Sequence, residues 1–247
     1  MASPTTTNQP QQESQSRNSG WWETYVIRYL VGTVVGGALL LFLNTSQLSG
    51  LESKLLPGIT DLASLDAGLL TVIGAMGFTY CYLASAPILV LHASRAVFFS
   101  NNSKVSFWMI GGGVLILGVM GGFLCWGNVE WKLIFSIAAL AIVLVLQIVP
   151  LTFSMRGRAA VSHEYYEKLS AARADERPGR QEYKESYRHL REHGNAFFIL
   201  VLEGVLGIVL LGLPNAGFAL ICLLVWIAPA AAVWCHGTWL EVRYAGI

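Results

Sequence analysis

Six predominantly apolar runs, at 24–43, 67–92, 105–126, 131–154, 196–213 and 216–235, constrain this chain more than any other feature. Each is long enough to cross a bilayer as a helix, which takes about 17 to 25 residues. They are too long and continuous to be the alternating, roughly ten-residue strands of a membrane barrel. The expected fold is therefore an all-α membrane protein with six transmembrane helices. Composition agrees, because only 13% of the 247 residues are charged, against about a quarter in soluble domains. A globular cytosolic enzyme, a secreted disulfide scaffold and a largely disordered chain are all excluded on these grounds.

Charge placement predicts the topology. Cytoplasmic loops retain Lys and Arg, and fourteen of the sixteen fall on one side if spans alternate: Arg17, Arg28, Arg95, Lys104, nine between Arg156 and His193, and Arg243. Only Lys54 and Lys132 fall on the other. Both termini are thus expected in the cytoplasm of a multi-pass protein. Trp21, Trp22, Trp108, Trp126, Trp131, Trp234 and Trp239 cluster at the ends of the runs, where interfacial aromatic belts sit. Residues 1–20 are polar and poor in apolar groups, so they read as a disordered tail. They lack the basic start and apolar core of a signal peptide, which leaves the first span to direct insertion.

The domain reading follows: a tail at 1–20, four spans within 21–155, a cytoplasmic segment at 156–194, two spans within 195–235, and a C-terminal tail at 236–247. An outer loop at 44–66 has Leu48, Leu51, Leu55, Ile59 and Leu62 at helical steps, which predicts that it lies along the membrane interface. Asn44-Thr45-Ser46 fits a glycosylation sequon. Gly32, Gly36, Gly37, Gly74, Gly77, Gly118 and Gly122 offer close helix contact, within one bundle or between subunits. The triplet Gly111-Gly112-Gly113 weakens its helix and is a candidate hinge. Pro87 removes a helix hydrogen bond and frees a carbonyl.

Within the spans, Glu203 lies about 11 Å along its helix from the span start, close to the midplane. An ionisable group there marks a functional site or a buried pair. Either it lines a conduction path or binds a proton, or it is a protonated acid bonded to Tyr80, Tyr82, Ser85 or a backbone carbonyl. Arg28 can snorkel to the interface or face a pore. His92 and Arg95 lie where a gate or a headgroup anchor would be. Gln147 is a candidate for an interhelical hydrogen bond.

The segment 156–194 is the one soluble element large enough to sense a signal. Pro178-Gly179 divides it into stretches at roughly 162–176 and 181–193, predicting a helical hairpin between spans four and five. Arg180, Lys184, Arg188 and Arg191 recur at steps of four, four and three, hence on one helix face, and Tyr183 and Tyr187 flank them. Cations with stacking aromatics bind bases and phosphates, so these six residues are the candidate site for an oligonucleotide or nucleotide. The plain alternative is a solvated helix resting on anionic headgroups.

No catalytic motif is present: no HExxH, no P-loop, no Gly-x-Ser paired with an intramembrane His. The expectation is a non-enzyme with no cofactor and no metal site. Cys81, Cys125, Cys222 and Cys235 sit in or beside apolar runs without ligand spacing and read as small buried hydrophobes.

Three stretches, ETYVIRYLVGTVVG (23–36), ASAPILVLHASR (84–95) and EYKESYRHLREHGNAFF (182–198), resemble segments of small multi-pass membrane proteins of bacterial anti-phage defence, such as those of the Hailong and Kiwa systems. Six spans differ from the four of the Kiwa membrane component, so the resemblance is more to a Hailong-type effector. It implies a homo-oligomer in the bacterial inner membrane, such as a tetramer, paired with a cytosolic partner protein. The implied trigger is a short DNA oligomer made by a nucleotidyltransferase. Together these readings predict a channel or pore gated through its cytoplasmic hairpin. The alternatives are a secondary transporter using Glu203 and a non-conducting membrane sensor or anchor for a soluble partner.

Overall fold

The computed structural model describes residues 29–46, 49–52, 54–56, 66–94, 108, 111–113, 130–155, 171 and 178–245; the side chains of 154–155, 178–193 and 239–245 are outside that description. Helices and short turns account for the described residues, with no strand among them. In chain order the helices are α1 (Tyr29–Thr45), α2 (Ala67–Ala84), α3 (Ala86–Ala93), α4 (Trp131–Met155), α5 (Pro178–Leu211) and α6 (Ala216–Ala245).

Four stretches are long and apolar enough to cross a membrane: Ala67–Ala93, Trp131–Phe153, Gly194–Leu211 and Ala216–Thr238. They coincide with the second, fourth, fifth and sixth expected spans, and α1 is a shorter apolar helix overlapping the first. Of 105–126 only Trp108 and 111–113 are described, and these are helical. The described residues are thus helix and turn, with four helices suited to a membrane-embedded protein. Large apolar side chains such as Val34 of α1, Phe78 of α2, Ile137 of α4, Ile208 of α5 and Phe218 and Leu224 of α6 are exposed. In water such a surface would be an aggregation site; in a bilayer it meets lipid.

Local chemistry explains the helix boundaries. The Asp66 carboxylate accepts from the Leu69 amide at 2.7 Å and caps α2, while Asn215 does the same for the Phe218 amide at 3.1 Å at the start of α6. Such caps satisfy amides that have no helical partner. The second span is divided at Ser85, because Pro87 has no amide hydrogen to continue the ladder. The carbonyl left over, that of Leu83, accepts instead from the indole Nε1 of Trp226 in α6 at 3.1 Å. Trp226 is fully buried, and its ring and its hydrogen bond together fix α6 against the broken span.

In the main core cluster Leu40 and Leu43 of α1, Tyr80 and Ala84 of α2, Val143 of α4, Leu202, Leu206, Val209 and Leu210 of α5, and Trp226 of α6 pack together, and a smaller one pairs Leu56 with Ile73 of α2. Lipid tails are as apolar as these side chains, so close van der Waals fit rather than water exclusion holds the helices. Gly36 and Gly77 show how close α1 and α2 come. A methyl group at Gly77 would lie 2.7 Å from the Gly37 nitrogen and against the Thr33 carbonyl. Gly74, expected on the same surface, faces open space. Gly112 faces Val145 of α4, whereas Gly111 and Gly113 meet nothing among the described residues; Gly118 and Gly122 lie outside the described residues.

One end of the bundle is closed. Here Ser136 of α4 donates to the Ile208 carbonyl of α5 at 3.0 Å, and Gly50 is pressed on the Leu213–Pro214 backbone. The described part of the outer loop packs on this end, with Leu51 and Leu56 buried. Asn44 organises it. Its Oδ1 accepts from the amides of Leu55 and Leu56 at 3.1 and 2.9 Å, and its Nδ2 donates to the Leu56 carbonyl at 3.2 Å. Fully buried and committed to these bonds, Asn44 serves as a structural residue rather than the glycosylation acceptor its sequon suggests. Leu48, Ile59 and Leu62 lie outside the described residues.

The largest departure concerns α5. The expected second hairpin helix and the fifth span are not separate elements: one helix of 34 residues runs through both, about 51 Å at 1.5 Å per residue. Gly194, at the boundary, meets no neighbour among the described residues and leaves the helix unbroken. The first hairpin stretch, 162–176, lies outside the described residues except for Ala171.

Candidate functional site

Glu203 sits where three helices converge. On α5 it occupies the face that also carries Leu202 and Leu206, so the helix that packs the core turns this carboxyl inward with it. Its exposure is 0%. Space for the side chain comes from Gly32 on α1, where an added methyl would lie 2.9 Å from Glu203 Oε1 and would also strike the Cys81 sulfur. Cys81, itself fully buried on α2, brings its thiol beside the carboxyl. Neither carboxyl oxygen has a partner with hydrogen-bond geometry.

Tyr80 closes the site from the same helix as Cys81, though not in the role expected. Its hydroxyl donates at 2.7 Å to the backbone carbonyl of Glu203, not to the side chain. Tyr82 and Ser85, the other partners considered, point elsewhere: Ser85 donates to the Tyr82 carbonyl at 2.8 Å. Gln147 on α4 also departs from expectation. It is fully buried, and neither its amide nitrogen nor its oxygen is hydrogen-bonded.

A buried polar group without a partner is costly, and α4 and α5 each retain one. Glu203 can therefore take up or release a proton, or accept a cation or water, only if the surrounding helices admit one. Cys81 and Gly32 are the neighbours that sequence reasoning did not attach to Glu203. Cys81 read as a small buried hydrophobe and Gly32 as part of a packing surface, and no spacing within either helix signals that the two meet a third one here.

The other candidates are not gathered around this carboxyl. His92, exposed at the end of α3, lines a cavity whose wall also includes Asn195 and Ile199 of α5. Asn195 is eight residues from Glu203, about 12 Å along the helix. Arg28 and Arg95 lie outside the described residues. Arg180, Tyr183, Lys184, Tyr187, Arg188 and Arg191 belong to the first turns of α5, with their side chains outside the description. Cys81, Cys222 and Cys235 are free thiols, of which Cys235 is exposed. Among the described residues no group of three His, Cys, Asp or Glu could hold a metal ion.

No known protein family, curated protein or solved structure matches this chain.

Proposed function

We propose that the protein is an oligomeric channel or pore of the bacterial plasma membrane, with six spans and both termini in the cytoplasm, gated through segment 156–194. The reading extends to an anti-phage defence effector opened by an oligonucleotide from a cytosolic partner. One observation carries it: α5 is a single 34-residue helix bearing both the basic, tyrosine-flanked stripe and Glu203. A ligand that displaces the charged end of such a rod displaces Glu203 as well. A ligand shifts a closed-to-open equilibrium only by binding the open arrangement more tightly. The carboxyl biases the same equilibrium, because an arrangement that brings water to Glu203 removes the cost of leaving it unpartnered.

The test is ion flux through the purified protein in liposomes, with and without short DNA oligomers. Oligomer-dependent flux is expected, abolished when Arg180, Lys184, Arg188 and Arg191 are neutralised and altered in selectivity by Glu203→Gln. Absence of flux under every condition overturns the channel reading. A second reading, a secondary transporter coupled through Glu203, is favoured by one feature: the carboxyl is enclosed by α1, α2 and α5 of one chain, not displayed on a surface that a pore between subunits would use. Saturable, proton-dependent uptake abolished by Glu203→Gln would support it over the channel.

A further inference from the structure

Glu203 has no counter-charge among the described groups. In α1 and the four membrane-crossing stretches the other carboxyl or cationic residues are Lys132, His92 and His236, each within three residues of the end of its stretch. The titratable groups that reach Glu203 from the helices packed on it are Tyr80 and Cys81, both on α2. An ionised carboxylate sealed from water without a partner costs far more than a neutral acid. A metal cation fits no better, since Ca2+ for example takes about six to eight oxygen ligands. The described neighbours add to the two carboxyl oxygens one sulfur and one hydroxyl, and that hydroxyl, of Tyr80, is engaged with the Glu203 backbone carbonyl. The ion that such a site fits is a proton.

Gly32 shows how the carboxyl and the Cys81 thiol meet. A methyl group there would strike the Cys81 sulfur and lie 2.9 Å from Glu203 Oε1, so both atoms border one small space against α1. Cys81 and Glu203 are fully buried, and among the described residues the thiol is the donor beside the carboxyl whose hydrogen is not committed elsewhere. Neither carboxyl oxygen is aligned with it in the packed arrangement. The terminal torsion of a glutamate is broad, however, and a turn of the carboxyl aims a lone pair at the sulfur.

We infer that Glu203 binds one proton in the packed arrangement and that Cys81 is its positioning residue, donating the S–H hydrogen to the carboxyl oxygen that carries no proton. When the helices part and water enters, the carboxyl passes its proton to water. The thiol keeps its own hydrogen and donates it to the carboxylate that remains. The inference rests on the reading of Glu203 as the functional carboxyl of its span, and not on whether the protein conducts ions.

The test is infrared spectroscopy of the full-length protein in lipid at neutral pH. A carbonyl stretch from a protonated carboxyl is expected, and it should be lost in Glu203→Gln. In Cys81→Ala this band should move to higher wavenumber, because a hydrogen bond to the carbonyl is gone. In Cys81→Ser, where a hydroxyl donates in place of the thiol, it should stay at or below the parent position. The S–H stretch that disappears in Cys81→Ala should itself rise in Glu203→Met, which keeps the bulk of the side chain and removes the acceptor. Absence of a Glu203-dependent carboxyl band overturns the proton assignment, as does its loss on adding sodium, potassium or calcium chloride at constant pH. A band that holds its position in both Cys81 variants overturns the role of the thiol. Expected bands from a protein without ion flux would remove the channel reading and leave the proton site standing.

Discussion

A buried polar atom inside a membrane must find its partner within the protein, and two residues show opposite outcomes of that constraint. Pro87 orphans the Leu83 carbonyl and Trp226 satisfies it. Trp226→Phe should cost about 1–3 kcal/mol, the usual penalty for an unsatisfied buried group, read as a lower melting temperature in detergent. Adding Pro87→Ala should recover part of that loss, because the restored amide can reach the carbonyl. At Glu203 no described group beyond the adjacent Cys81 thiol meets the carboxyl, and neither oxygen has a partner with hydrogen-bond geometry, so Glu203→Gln is expected to leave expression and melting temperature near the parent value. Glycine substitutions separate just as sharply. Gly77→Ala forces a methyl into the α1 backbone and should destabilise by about 1–3 kcal/mol, whereas Gly74→Ala, which meets nothing, should be neutral in the same thermal assay.

Among the elements, α5 differs from the rest in joining a charged segment and an apolar one without a break. Its continuity can be tested by inserting Gly-Gly between His193 and Gly194. If a rigid rod carries the signal, the insertion abolishes oligomer-dependent flux while the helical content measured by circular dichroism stays within a few per cent of the parent. Sequence periodicity located both halves of this helix but placed a boundary between them, since a change from charged to apolar composition normally accompanies a change of element. The backbone has no reason to break there: glycine in a helix costs only about 1 kcal/mol, and the turns on either side support it. The second span shows the reverse. Proline marked the break correctly, yet its consequence, a hydrogen bond to a residue 143 positions away, has no local signature.

The described helices have two unlike ends. At one, the loop held by Asn44 seats Gly50 on the Leu213–Pro214 turn between α5 and α6 and Leu56 beside Ile73 of α2; toward the other lies a cavity lined by His92, Asn195 and Trp234. Asn44→Ala removes three hydrogen bonds from a fully buried group and should loosen the closed end. Hydrogen exchange at the Leu55 and Leu56 amides is expected to rise, with little change at α5 and α6. The apolar runs made the membrane class and most helices legible, because a lipid environment leaves few alternatives to a helix. Loop placement and the identity of the residues around Glu203 were not legible, since both depend on which helices become neighbours, and that is decided by contacts far apart in sequence.

The proximity of Cys81 to Glu203 also gives the protein a native chemical reporter. Thiol-modifying reagents act on the thiolate, which forms where water reaches the sulfur, and Cys81 is fully buried. In a variant retaining Cys81 as its sole cysteine, the alkylation rate would read out directly whether, when and for how long the space around the carboxyl becomes wet.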